Sequence, residues 1–90
     1  VTADPHPYVG LWVTADGRIR QRLLPAGRYT EARGSVEGAY TGDYRVTGDD
    51  IVYRDDTGFS ADGVFRNGVL YHAGMVMYRT PDPDAEGPTR

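Results

Sequence analysis

Turn signals constrain this chain more than any other feature. Asp16-Gly17, Gly48-Asp49-Asp50, Asp56-Thr57-Gly58 and Asn67-Gly68 separate short runs in which apolar and polar residues alternate. Asp-Gly and Asn-Gly pairs adopt the positive φ that tight hairpins need, and alternation with period two marks half-buried strands. No stretch repeats apolar residues at the spacing of an amphipathic helix. The alternating runs recur at roughly nine-residue intervals, the rhythm of a sandwich or barrel. Twelve glycines and seven tyrosines in ninety residues agree with this. Tyrosine favours pleated surfaces, and glycine marks turns and close backbone approach.

The pattern predicts strands over Tyr8 to Thr14, Arg18 to Leu24, Arg28 to Arg33, Ala39 to Thr47, Ile51 to Asp55, Phe59 to Phe65, Val69 to His72 and Met75 to Arg79. Gly34 to Gly38 reads as a loop and Gly63 as a bulge. Nearly every connection is a hairpin turn, so neighbouring strands are expected to be sequential and antiparallel. A short meander gains most by closing, because closure removes both exposed edges. The expected fold is all-β: a single up-and-down antiparallel β-barrel of about eight strands. It is assigned to residues 1–79, with residues 80–90 as a flexible C-terminal tail containing three prolines. Such a barrel holds side chains or one small ligand, and strands this short make it shallow. A large ligand would protrude, or a partner subunit would complete the mouth, so a homodimer is among the expectations.

Composition removes several functions. There is no cysteine, hence no disulfide framework, thiolate metal site or cysteine nucleophile. The formal net charge is −3, against the basic balance expected of a nucleic-acid binder. No apolar run is long enough for a membrane helix or a secretory leader, so the expected compartment is the cytoplasm, with no membrane partner. No phosphate loop, dinucleotide fingerprint, calcium loop or Gly-x-Ser-x-Gly is present, and the two histidines lie far apart in sequence. Neither a cofactor nor a metal is expected.

One constellation is more specific. Gly10-Leu11-Trp12 lies in the first strand and Arg79 in the last, and closure makes these strands neighbours. Trp12 can then plug one end of the barrel, with the Arg79 guanidinium stacked on its indole. Gly-x-Trp with a terminal arginine on an eight-strand meander resembles the calycin superfamily, which includes lipocalins, fatty-acid-binding proteins and avidins. The stretches His6 to Gly17, Tyr29 to Gly34, Asp55 to Phe59 and His72 to Met75 resemble a small agrobacterial-type bacterial family of one-domain, streptavidin-like barrel proteins. That resemblance implies the fold, and it implies the structural roles of Gly10, Trp12 and Arg79. It implies no catalytic residue, and biotin binding does not carry over.

Four groups of residues could carry chemistry. If Ile51 and Tyr53 face inward, so does Asp55. A carboxylate in an aromatic cavity would have its pKa raised by desolvation and could move a proton. Equally, Asp55-Asp56-Thr57-Gly58 reads as a turn with an aspartate bonded to nearby amides. His72, beside the Ala73-Gly74 turn, could shuttle a proton or anchor a ligand, or simply bond a backbone carbonyl at the rim. His6 reads as an ordinary surface residue. Among the tyrosines, Tyr40, Tyr44 and Tyr53 are expected to line the cavity. Trp12 and Phe59 are expected as its floor and wall, and Met75 and Met77 as adaptable walls. Arg18, Arg20 and Arg22 alternate on one face of the second strand, either reading an anion or forming a solvated outer face paired with an acid such as Glu31.

These features lead to a barrel that binds a small hydrophobic or aromatic metabolite. The alternative is a cofactor-free cyclase or isomerase acting on a secondary metabolite, with Asp55 or His72 as the proton carrier. A third reading, an interaction module, applies if the barrel is solid.

Overall fold

The computed structural model describes residues 7–81. Eight strands form a closed barrel in sequence order: β1 (Gly10–Thr14), β2 (Ile19–Leu23), β3 (Arg28–Arg33), β4 (Val36–Thr47), β5 (Asp50–Asp55), β6 (Ser60–Arg66), β7 (Val69–His72) and β8 (Met75–Thr80). Every neighbouring pair is antiparallel, and β1 pairs β8 to seal the ring, with Trp12 opposite Arg79. The all-β, up-and-down barrel expected from the turn signals is the observed fold. No helix among the described residues is long and apolar enough to cross a membrane.

Alternation decides what enters the barrel. Trp12, Leu23, Ile51, Phe65, Leu70 and Met77 pack together, with Tyr29, Tyr44 and Tyr53 joining the same cluster. One end is stoppered. The Trp12 indole is 1% exposed and its Nε1–H donates to the Tyr8 carbonyl at 2.9 Å. The Tyr8 ring stacks on Phe65 with centroids 3.7 Å apart, and its hydroxyl donates to Asp49 at 2.7 Å. The Arg79 guanidinium sits 4.9 Å above the indole and donates to the Pro7 carbonyl. The stacked pair inferred from sequence is present. Gly10 is needed there for its φ of 143° rather than for crowding, since a Cβ would meet nothing closer than Arg79 Nη1 at 4.0 Å.

Four expectations need correction. Val36 to Gly38 belong to β4, not to a loop, because Arg33 pairs with Val36 and the hairpin extends past the barrel wall. Its register shifts between Glu31 and Arg33: β3 advances from 31 to 33 while β4 runs from 40 back to 36. That is where the irregularity lies. Gly63 is not a bulge; its pairing is regular, and a Cβ there would stand 2.7 Å from the Tyr71 carbonyl oxygen and 3.2 Å from His72 Cβ. Glu31 does not pair with the arginine row, because it faces inward. Arg20 instead donates to Glu37 at 3.1 Å and to the carbonyls of Gly17 and Gly34, tying two turns together on the outer wall. Finally, Thr80 belongs to β8. The remainder of the expected tail past residue 81, and His6, lie outside the described residues.

Candidate ligand-binding site

The barrel is not solid. At the end opposite Trp12, residues of β3 to β7 and the β5–β6 loop border an open-mouthed cavity of about 410 Å³, within the range of small-molecule sites. Its base is polar. The Tyr53 hydroxyl donates to Gln21 Oε1 at 2.6 Å, and Gln21 Nε2 donates to Glu31 Oε1 at 3.1 Å. Arg33 Nε–H donates to the other Glu31 oxygen at 2.7 Å. Gln21 is 0% and Glu31 4% exposed, so this chain of bonds lies inside the barrel. Buried polar groups are tolerated when each finds a partner, and among the described residues no buried side-chain polar atom lacks one. The bond to Glu31 raises the Arg33 pKa above its ordinary value, and burial pushes the Tyr53 hydroxyl far above its own.

Aromatic walls rise from this base. Tyr29 meets Tyr53 edge-on, with centroids 5.1 Å apart and planes at 79°. Burial, reinforced by the nearby Asp55 carboxylate, pushes the Tyr29 hydroxyl up to about 12. The Arg33 guanidinium lies 4.8 Å from the centroid of Tyr40, which stands at the rim. The His72 ring packs on Tyr53 at 4.4 Å, and its Nδ1 is 2.9 Å from the Asp62 carbonyl oxygen. A carbonyl only accepts, so Nδ1 carries the proton.

The mouth is shaped by the loop from β5 to β6. Asp55 Oδ1 accepts from the Thr57 hydroxyl at 2.7 Å and from the amides of Thr57 and Phe59, each at 3.0 Å. This cap presents Phe59, 76% exposed, at the cavity edge. The expectation of a raised Asp55 pKa is therefore corrected. The side chain faces the cavity as alternation required, but the loop curls back to supply donors, and the Thr57 hydroxyl leads in holding the carboxyl below its usual range.

Asp56 anchors the same loop from outside. Its carboxylate takes a two-pronged bond from Arg28 at 2.9 and 3.0 Å and accepts from the Thr41 hydroxyl at 2.7 Å. Arg28, then Thr41, holds the Asp56 carboxyl at about 2, below the ordinary 3.8. A depressed native pKa gives stabilisation that is complete above the unfolded value and is lost as pH falls through the native one. Asp56→Asn is accordingly expected to lower Tm at neutral pH, with the deficit shrinking below about pH 4 and gone only below about pH 2. Thermal melts of both proteins across that range check it; a deficit unchanged at low pH would show that the carboxylate is not the source.

The sequence-derived candidates divide. Tyr40, Tyr53, Phe59, Asp55 and His72 border the cavity. Trp12 and Met77 do not; both are core residues, 1% and 0% exposed. Tyr44 also lies in the core, its hydroxyl donating to the Leu24 carbonyl at 2.6 Å. Met75 lines a separate shallow depression beside His72. No cluster of acidic and histidine side chains capable of holding a metal occurs among the described residues.

A family model described as Agrobacterium tumefaciens protein Atu4866 matches residues 5–79. The chain belongs to this family. The solution structure of the protein Atu4866 from Agrobacterium tumefaciens is 62% identical, covers 84% of this chain and 98% of its own, and superposes with a TM-score of 0.74. No curated protein matches the chain. In this member of the Atu4866 family, Tyr29, Gln21, Glu31 and Arg33 are the site residues that sequence reasoning left out. Tyr29, Glu31 and Arg33 alternate along one strand, a signal sufficient to place all three on the face that holds Tyr29.

Proposed function

We propose that this member of the Atu4866 family binds one small, flat organic molecule in the open end of its barrel. The observation carrying the proposal is the cavity itself: a polar base with its bonds satisfied, perpendicular tyrosine walls, and a mouth held in shape by Asp55 and Asp56. Such pre-formation reduces the ordering cost of binding. The indole–guanidinium stopper of Trp12 and Arg79 supports a wider kinship with calycin barrels, in keeping with this reading.

The alternative, a cofactor-free cyclase or isomerase, rests on His72, because Asp55 is committed to the loop. Analysis of any compound recovered after incubation separates the two: a binder returns it unchanged.

Native mass spectrometry of freshly purified protein, followed by amide-resolved NMR titration with whatever copurifies or with an aromatic fragment set, tests the binding reading. The expected shifts fall at Glu31, Tyr53, Asp55, Phe59 and His72. Phe59→Ala is expected to weaken binding by at least about threefold while leaving Tm nearly unchanged, since the ring is largely in solvent until a ligand covers it. Shifts confined to the outer wall would sink the proposal.

A further inference from the structure

We propose that the molecule taken at this site is a flat cation rich in N–H donors, of the amidinium or protonated amino-heteroaromatic class. The inference rests on the binding reading above and assigns the chemistry of that ligand.

The first argument is charge. Glu31 and Asp55 bring two carboxylates to the cavity and Arg33 one guanidinium. Arg33 is bonded to Glu31 through Nε and laid against Tyr40, so these two charges offset each other. Asp55 is left without a cationic partner among the described residues: its Oδ1 takes all three loop donors, and its Oδ2 takes part in no hydrogen bond there. An anionic ligand would meet the Asp55 carboxylate, with the one guanidinium of the lining already paired to Glu31.

The second argument counts donors and acceptors. The Tyr53 hydroxyl proton and one N–H of Gln21 are used along the chain to Glu31. In the neutral His72 ring, donation from Nδ1 to the Asp62 carbonyl leaves Nε2 as an acceptor, with no partner among the described residues. Asp55 Oδ2 and the spare lone pairs of Glu31 are acceptors as well. Acceptors open to a ligand's N–H groups therefore gather at His72, Asp55 and Glu31, while the Arg33 guanidinium, the main donor of the lining, is held by Glu31 and laid against the Tyr40 ring.

The third argument is the walls. Tyr29 and Tyr53, at 79° to one another, offer two π-faces in different directions, and Phe59 adds another at the mouth. Aromatic faces with an adjacent carboxylate attract a cation, and a flat one can stack as well.

Three probes of matched ring size test the assignment on the full chain by amide-resolved NMR at pH 7 and low salt: benzamidine, benzoate and benzyl alcohol. Benzamidine is expected to shift the Tyr53, Asp55, Phe59 and His72 amides with a Kd at least about tenfold below that of benzoate, and its affinity is expected to fall as salt is added. Asp55→Asn keeps an amide oxygen to cap the loop but removes the charge, so it is expected to shrink the benzamidine advantage over benzyl alcohol by several-fold. Benzoate binding as tightly as benzamidine, or a benzamidine affinity indifferent to salt, overturns the charge assignment while leaving the cavity as a binding site. If none of the three probes moves the cavity amides, the binding reading falls with it.

Discussion

Trp12→Ala is expected to cost about 3–5 kcal/mol, the range for removing a fully buried aromatic side chain. The indole is 1% exposed and touches more than the core. Its Nε1–H satisfies the Tyr8 carbonyl, its ring centroid lies 5.1 Å from that of Phe65, and its face receives Arg79. Truncation leaves a cavity, an unmatched carbonyl and a guanidinium with nothing to stack on. Domains of this size have roughly 5–10 kcal/mol in total, so most of the stability would go. Urea denaturation of both proteins measures the loss; a loss below about 1 kcal/mol would mean that Tyr8 and Phe65 close the end unaided. Trp12→Phe is expected to be milder, because a ring still fills the space while the bond to the Tyr8 carbonyl disappears.

Gly42→Ala is the second large effect, and here local preference and tertiary structure predict opposite signs. In a strand, exchanging glycine for alanine normally stabilises by about 0.5–1 kcal/mol, through the entropy of the unfolded chain. Gly42 sits on the inward face of β4 opposite Asp55, and a Cβ built there would overlap the Arg54 carbonyl oxygen and stand 2.6 Å from Asp55 Cα. Both obstacles are backbone of the neighbouring strand, so no side-chain rotation relieves the clash. We expect a destabilisation of about 3 kcal/mol or more, at the upper end of overpacking. Displacing Asp55 should also loosen the loop that holds Phe59, with widespread amide shifts from Asp55 to Ser60. A neutral or stabilising result would show that β5 can slide outward.

The fold was legible because its signals are local. Asp16-Gly17 and Asn67-Gly68 announce hairpins, and alternation placed Tyr53 and Asp55 on the inner face along with Ile51, as the barrel has them. The site was only half legible. Tyr53, Phe59 and His72 reach the cavity, whereas Tyr44 and Met77, on correct inward faces, sit too far down the barrel. Alternation gives the side of a sheet but not the height along a tilted strand. Asp55 failed differently: its direction was right, but the loop supplies donors from Thr57 and Phe59, two and four residues later, that keep it ionised. Glu31 was read as an outer partner for the arginines because charge usually means solvent. Only the pairing of Gln21 with Glu31 across β2 and β3 reveals that an inward polar residue on one strand prepares the place for another.

The seam between β1 and β8 has a practical corollary. Strand β1 begins at Gly10 and β8 ends at Thr80 on adjoining strands, both at the stoppered pole and away from the Phe59 lip. Attachment to a biosensor chip at this pole should leave the aperture pointing into the flow, so immobilisation chemistry need not compete with the analyte.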